Sequence, residues 1–272
     1  MHGLLTLAVL VAVQSPRSEL VSPSGRALHA LPDTAGVVVR AEAAAARAPA
    51  SIDTLIALGQ AYASVWRYGD AIATYTRAIE LAPDQAVLYR HRGHRYISTR
   101  QFARAIGDLE RGAGLDSTNW DIWYHLGLAY YLTGRFDAAA PAYRRCLALR
   151  SNDPGSLVAA SDWLWMTLSR AGRHAEATAL LGPIEDSVAV GDNTAYHQRL
   201  LLYKGRKTEA DLQALMATGD LQRATVGYGL ANWYLVRGDT ARARAMFQEI
   251  VTGRYWPAFG FIAAETDLGR TR

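Results

Sequence analysis

The sequence predicts an all-α solenoid of stacked helix pairs, and two observations carry that class. Three residue types recur at one interval: Gly59, Gly93 and Gly127 stand 34 residues apart, as do Tyr62, Tyr96 and Tyr130, and Ala71, Ala105 and Ala139. A 34-residue period is the length of a helix-turn-helix unit that cannot bury its apolar face alone and must stack on its neighbours. The second observation is composition: of 272 residues, 50% are hydrophobic and 20% charged, ample for a continuous core. A chain of this length need not divide into separate cores when it grows along one axis, so a single elongated domain is expected.

The elements follow in order. Leu4 to Val13 is an unbroken apolar run whose length suits the core of an export signal and falls short of the ~20 residues that span a bilayer. Residues 1–15 are therefore expected to be a signal segment and the protein to be exported, with an apolar first helix of a cytoplasmic protein as the alternative. Pro16, Pro23, Gly25 and Pro32 make 16–33 read as a flexible tether. Asp33 or Thr34 can cap a helix within 34–51, closed by Pro49, which lies 34 residues before Pro83; this helix covers the N-terminal end of the stack. Full units occupy 52–85, 86–119 and 120–153. The phase then slips by four residues within Ser151-Asn152-Asp153-Pro154-Gly155, and a degenerate unit over 158–191 has Trp165 where glycine belongs. Residues 192–223 read as a divergent helical pair. The pattern returns over 224–257 through Leu230, Tyr234, Gly238, Ala243 and Phe247, and 258–272 is a C-terminal capping helix. The expected total is about six helix pairs with capping helices at both ends.

In each first helix the tyrosine falls three residues after the glycine, on the same side. The glycine removes bulk where the partner helix approaches, and the alanine opening the second helix does so from the other side. With Leu55, Leu58, Gly59, Tyr62, Ala71, Tyr75, Ala78 and Pro83, the first unit resembles the tetratricopeptide repeat (TPR). The second does so through Tyr89, Gly93, Tyr96 and Ala105, and the third through Trp123, Gly127, Tyr130 and Ala139. The resemblance implies a right-handed TPR superhelix and a non-catalytic protein-protein interaction scaffold that binds a protein or peptide segment in its concave groove. By the family's groove positions it places Arg90, His91, His94, Tyr124, His125, Tyr131, Asp162, Trp163, Tyr228 and Asn232 toward that groove. Such a lining suits an extended or acidic peptide, because arginine pairs carboxylates and aromatic rings offer rigid contact area. The carboxylate clamp of chaperone-binding TPR domains is not matched: Ile56, Gln60, His91, Asp121 and His125 stand at its positions, so acidic chaperone tails are not expected partners. The repeats and the export-like segment are loosely similar to bacterial envelope TPR proteins of the NlpI type, without their lipid-attachment cysteine.

Other chemistry has weaker signals. The net charge of +4 comes from arginines scattered through every unit, which reads as solvated helix faces, so no nucleic acid is expected as a partner and a nucleic-acid-binding helical repeat is only an alternative. His91 and His94, with His125 one unit on and Asp162 beyond, are of the types that hold zinc, and a metal-dependent enzyme built on them is the other alternative. Phosphate loops, CxxC pairs, GxSxG elbows and HExxH motifs do not occur, so no catalytic residue, metal or cofactor is expected. Cys146, the sole cysteine, stands where the first unit has Ala78 and is expected to be a buried, inert thiol. Arg92 replaces a packed leucine, so it should pair with a carboxylate such as Asp108 or Glu110. Trp163 and Trp165, two apart, should divide between core and groove.

Overall fold

The computed structural model describes residues 17–150 and 152–270. A two-stranded antiparallel hairpin, β1 (Ser18–Val21) and β2 (Ala27–His29), precedes α1 (Val37–Arg47). Six helix pairs follow: α2 (Ile52–Ser64) with α3 (Tyr68–Leu81), α4 (Ala86–Ser98) with α5 (Phe102–Leu115), α6 (Trp120–Leu132) with α7 (Phe136–Leu149), α8 (Pro154–Arg170) with α9 (His174–Leu180), α10 (Thr194–Tyr203) with α11 (Glu209–Met216), and α12 (Asp220–Val236) with α13 (Thr240–Ile250). A last helix, α14 (Phe259–Arg270), closes the described chain. The all-α solenoid with a helix at each end is thus the observed architecture. The expected signal segment, residues 1–15, lies outside the described residues.

The periodic residues sit where helices cross. A Cβ built on Gly127 would stand 2.9 Å from the Tyr143 ring, and one on Gly93 would stand 2.8 Å from Leu109. Ala71, Ala105 and Ala139 are wholly buried. The recurring tyrosine also ties three of the pairs to the helix before them: Tyr62 Oη donates to Glu42 (2.7 Å), Tyr130 to Glu110 (2.5 Å), and Tyr234 to Glu209. Pro83 accepts from the hydroxyl of Tyr89 at 2.8 Å. Arg92 forks onto Asp108 at 2.7 and 2.8 Å, the carboxylate pairing its out-of-pattern position demands. Cys146 is fully buried, and burial pushes its thiol pKa up, away from reactivity.

Three boundaries differ from the sequence reading. The segment 16–33 is no tether from residue 17 onward. Leu28 on β2 is buried, Leu31 donates its N–H to the Val65 carbonyl (2.9 Å), and the Arg26 guanidinium reaches the carbonyls of Val251 and Gly253 at 2.8 and 2.9 Å. The proline and glycine punctuation marks the turn between β1 and β2 rather than a loose link. The fourth pair starts at Pro154, not 158, because Pro at the first helical position and the Asp153 side chain accepting from Ser156 N–H (3.2 Å) make a strong start. The last pair likewise starts at Asp220 rather than 224.

The largest difference concerns α14. It packs on α12 and α13, as an end cap would, but it also reaches back across the inner face to α6. Arg270 Nη2 donates to the Leu132 carbonyl (2.9 Å), Arg100 pairs with Glu265 (2.7 Å), and Arg170 pairs with Asp267 (3.0 Å). Ile262, Ala263 and Ala264 are completely buried. A helix whose sides are all covered is a core element rather than a lid on one end.

Candidate functional site

Most of the ten residues placed in a groove by sequence are not open to solvent. Tyr131, Asp162, Trp163, Tyr228 and Asn232 are fully buried, and Tyr124 and His125 nearly so. The expectation of an open groove along these positions is therefore corrected. The stack curls until α12 and α14 cover the inner faces of α6 and α8, and what would be ligand-facing side chains become core. Tyr131 Oη donates to Tyr228 Oη at 2.6 Å and lies 3.3 Å from Asn232 Oδ1. The Asp267 carboxylate accepts from Tyr228 (2.8 Å) and from both Arg170 terminal nitrogens (3.1 and 3.0 Å). Buried polar groups satisfied in this way specify one packing arrangement. Trp163 lies edge-on to Tyr131, with ring centroids 5.2 Å apart, and Trp165 stacks on Tyr203 at 3.7 Å, so neither tryptophan faces open space. Asp162 pairs with Arg199 at 2.9 Å, both side chains being inaccessible; burial raises the Asp162 pKa to about 7 against the pull of Arg199.

The histidines separate into two settings. The rings of His94 and His125 lie 4.2 Å apart, and both meet Phe259 at the start of α14, at 5.3 and 5.8 Å. His125 Nδ1 donates to the Asp121 carbonyl at 2.6 Å, which fixes its ring. His91 turns the other way, stacked on Tyr75 with centroids 5.2 Å apart, while its Nδ1 accepts from Arg90 at 3.2 Å. Burial, then the neighbouring Arg90 and Arg95, lower His91 to about 4, and burial and Arg90 lower His125 to about 3. His94 is pushed well below the usual range by burial and then by Arg95. These rings are neutral at pH 7. The three do not converge on one point, and among the described residues no group of three or more His, Cys, Asp or Glu side chains is arranged to hold a metal ion.

One part of the inner face stays open. A cleft of about 380 Å³ lies beside α2 and α4, walled by Trp66, Tyr68, His94, Arg95, Tyr255 and Phe259. Its far wall is the segment joining α13 to α14, clasped in place by three contacts. Trp256 Nε1 donates to the His29 carbonyl (3.0 Å), Trp66 lies edge-on to Tyr255 and Trp256 (5.2 and 5.7 Å), and Arg100 Nη2 donates to the Trp256 carbonyl (3.1 Å). Trp66 and Arg100 both adopt φ 62°, a left-handed turn conformation. Gly134, the next position in the 34-residue series, has φ 75°. A side chain there costs ~1–2 kcal/mol over glycine. At both positions the strained residue reaches the C-terminal segment, which is where such strain is worth retaining.

Of the residues walling this cleft, the sequence reading placed only His94 in the groove. Trp66, Tyr68 and Phe259 lie off the first-helix positions, and Arg95 is one residue past His94. A signal did exist: Trp66 and Arg100 occupy a turn position where the third unit has glycine, so a bulky residue there asks for a reason beyond the turn.

Comparison with known proteins places the repeats. Models of the tetratricopeptide repeat match residues 54–89 and 91–154. Serine/threonine-protein phosphatase 5 of Rattus norvegicus is 33% identical over 86 residues, 32% of this chain and 17% of that protein. The Hsp70-Hsp90 organizing protein of Triticum aestivum is 32% identical over 111 residues, 40% of this chain and 19% of that protein. The chain thus matches under a fifth of the length of either relative. Among solved structures, MamA superposes with a TM-score of 0.50 at 22% identity, covering 64% of this chain and 92% of that one, a likeness of fold. The repeat models fall on α2 to α7, the same helices whose glycine, tyrosine and alanine anchors meet at the crossings, and the chain is a tetratricopeptide repeat protein.

Proposed function

We propose that the protein is a non-catalytic interaction scaffold that holds a protein or peptide segment against the open part of its inner face, beside Trp66, Tyr68, Arg95 and Tyr255. The observation that carries this reading is the cleft itself. The centre of the inner face is filled by α14, while its mouth keeps a concavity rimmed by aromatic rings and a guanidinium, the residue types that dominate protein recognition. The repeat supports the same class, since stacked helix pairs offer a long surface rather than a reaction centre. One relative is by its name an organiser of two chaperones, although the residues at the clamp positions here differ from those such binding needs. An exported setting is part of the proposal, resting on the apolar run from Leu4 to Val13. Among the described residues no helix is long and apolar enough to cross a membrane.

The test is affinity capture on the purified chain, with Tyr255→Ala run beside it. Tyr255 is 36% exposed at the rim, so the variant should keep its melting temperature while a partner captured by the unaltered protein is lost. Identical capture by both proteins would sink the cleft as the docking place. Fractionation of cells expressing the full chain checks the exported setting, which fails if the protein stays in the cytoplasm at full length.

A further inference from the structure

The cleft has a charge imbalance that says what it takes. Four arginines project from α4 and the turn after it, and three have acidic partners: Arg90 with Asp121 at 3.2 Å, Arg92 with Asp108 at 2.7 Å, and Arg100 with Glu265 at 2.7 Å. Arg95 has none among the described residues. Its guanidinium lies over the Tyr68 ring, 5.0 Å from the centroid, and the other charge bearing on it is the repelling Arg90. An arginine stays protonated, so a half-buried guanidinium without a counter-ion offers an arriving anion a charge to pair. In the same wall His94 Nδ1 is buried with no hydrogen-bond partner, and Ser98 and Thr225 also line the cleft. An unpartnered polar atom in the wall that carries an unpaired cation leaves room for a bound anion to supply both contacts.

We propose that the cleft is a monocarboxylate site, in which Arg95 is the counter-ion and the apolar body of the ligand lies among Trp66, Tyr255 and Phe259. One uncompensated cation matches one negative charge, which favours a carboxylate over a phosphate dianion. The volume, about 380 Å³, is near the lower end of ligand pockets (about 300–1,000 Å³) and holds one large side chain with its carboxylate. That chemistry has two sources, the C-terminal residue of a polypeptide or a free aromatic or aliphatic acid. The proposal rests on the scaffold reading only for the first of these, because the free acid tests the chemistry by itself.

Three probes separate the cases by calorimetry and Trp66-region fluorescence: phenylacetate, and the peptide acetyl-Gly-Gly-Phe as free acid and as C-terminal amide. The free-acid peptide should bind at least tenfold tighter than the amide. Arg95→Gln should abolish that preference and Arg95→Lys should keep part of it. A peptide acid tighter than phenylacetate identifies a chain terminus as the source, and equal binding identifies the free acid. Should Arg95→Gln not fold, Tyr255→Ala replaces it and should weaken both peptide forms while keeping the preference for the acid. Equal binding of acid and amide, or no binding of any probe at millimolar concentration to the folded protein, overturns the site. A partner captured without acid preference sinks this inference alone, and acid preference without any captured partner sinks the scaffold reading alone.

Discussion

At the scale of single residues, burial decides what each side chain is for. Tyr124 stands three residues before Gly127 on α6 and is 6% exposed, its ring stacked on Trp120 at 4.7 Å and edge-on to Tyr143 at 6.1 Å. Tyr124→Ala should therefore cost roughly 3–5 kcal/mol, the range for losing a large buried aromatic ring. Gly127→Leu drives a side chain into Tyr143 and should cost ~1–3 kcal/mol or more by overpacking. Chemical denaturation of the two variants side by side checks both, and a Tyr124→Ala protein as stable as the parent would restore the open-groove reading. Arg100→Gly poses a sharper question. It relieves ~1–2 kcal/mol of left-handed strain but strands Glu265, 7% exposed, without its cation, a loss of roughly 3–5 kcal/mol. Net destabilisation is expected. A variant that melts higher than the parent would show that the Arg100 clasp contributes nothing.

At the scale of elements, α4, α6 and α14 meet through neutral histidines, and this junction should make stability depend on pH. The folded pKa values of His91, His94 and His125 lie below the unfolded value, so between about pH 6.5 and 4 the unfolded chain binds protons that the folded chain refuses. Their contribution is present above pH 6.5 and is lost as pH falls, by up to ~1.4 kcal/mol per pH unit for each ring that stays neutral. Asp162 acts in the opposite sense over nearly the same window: its raised pKa favours the fold at low pH and that advantage is lost as pH rises toward 7. Glu19 and Glu265, raised by burial, act with Asp162, whereas Asp116, Asp153, Glu176, Asp211 and Asp239, lowered by hydrogen bonds, act with the rings, so a net loss on acidification is expected. Melting curves at pH 7.5 and 5 should show it, His125→Gln should flatten it, and a flat parent profile would contradict it. The docking of α14 is equally testable. A Cβ at Gly260 would collide with the Ala224 backbone on α12, so Gly260→Val should lift α14 and raise amide exchange in α6 and α12.

At the scale of the whole molecule, closure changes how the chain should unfold. An open solenoid is stabilised by neighbour terms and can lose units from either end. Here contacts join distant units: Arg26 to Val251, Trp256 to His29, Arg100 to Glu265 and Tyr131 to Tyr228. The described chain should accordingly melt in one cooperative transition. Arg100→Ala with Arg170→Ala removes two of the ion pairs that hold α14 and should broaden or split that transition. A parent protein that already unfolds in separable steps would show the closing contacts to be too weak to couple the ends.

What the residues by themselves determined is most of what depends on neighbours near in sequence, the β1–β2 hairpin and the starts of α8 and α12 excepted. The helix pairs, their 34-residue phase, the small residues at Gly59, Gly93 and Gly127, the caps, the buried Cys146 and the need of Arg92 for a carboxylate all follow from local spacing and from what one helix face must bury. Inward direction was legible too, because helical periodicity sets which way Tyr131 or Trp163 points. What only the tertiary structure decided is what stands opposite. A small rotation between units, summed along the stack, sets whether the inner face remains a groove or closes on itself, and no single repeat encodes that sum. Closure turns the expected ligand contacts of α6, α8 and α12 into core, seats α14 among them, and leaves Arg95 without an acidic partner beside an open cleft, because what stands opposite it comes from the distant segment that leads into α14.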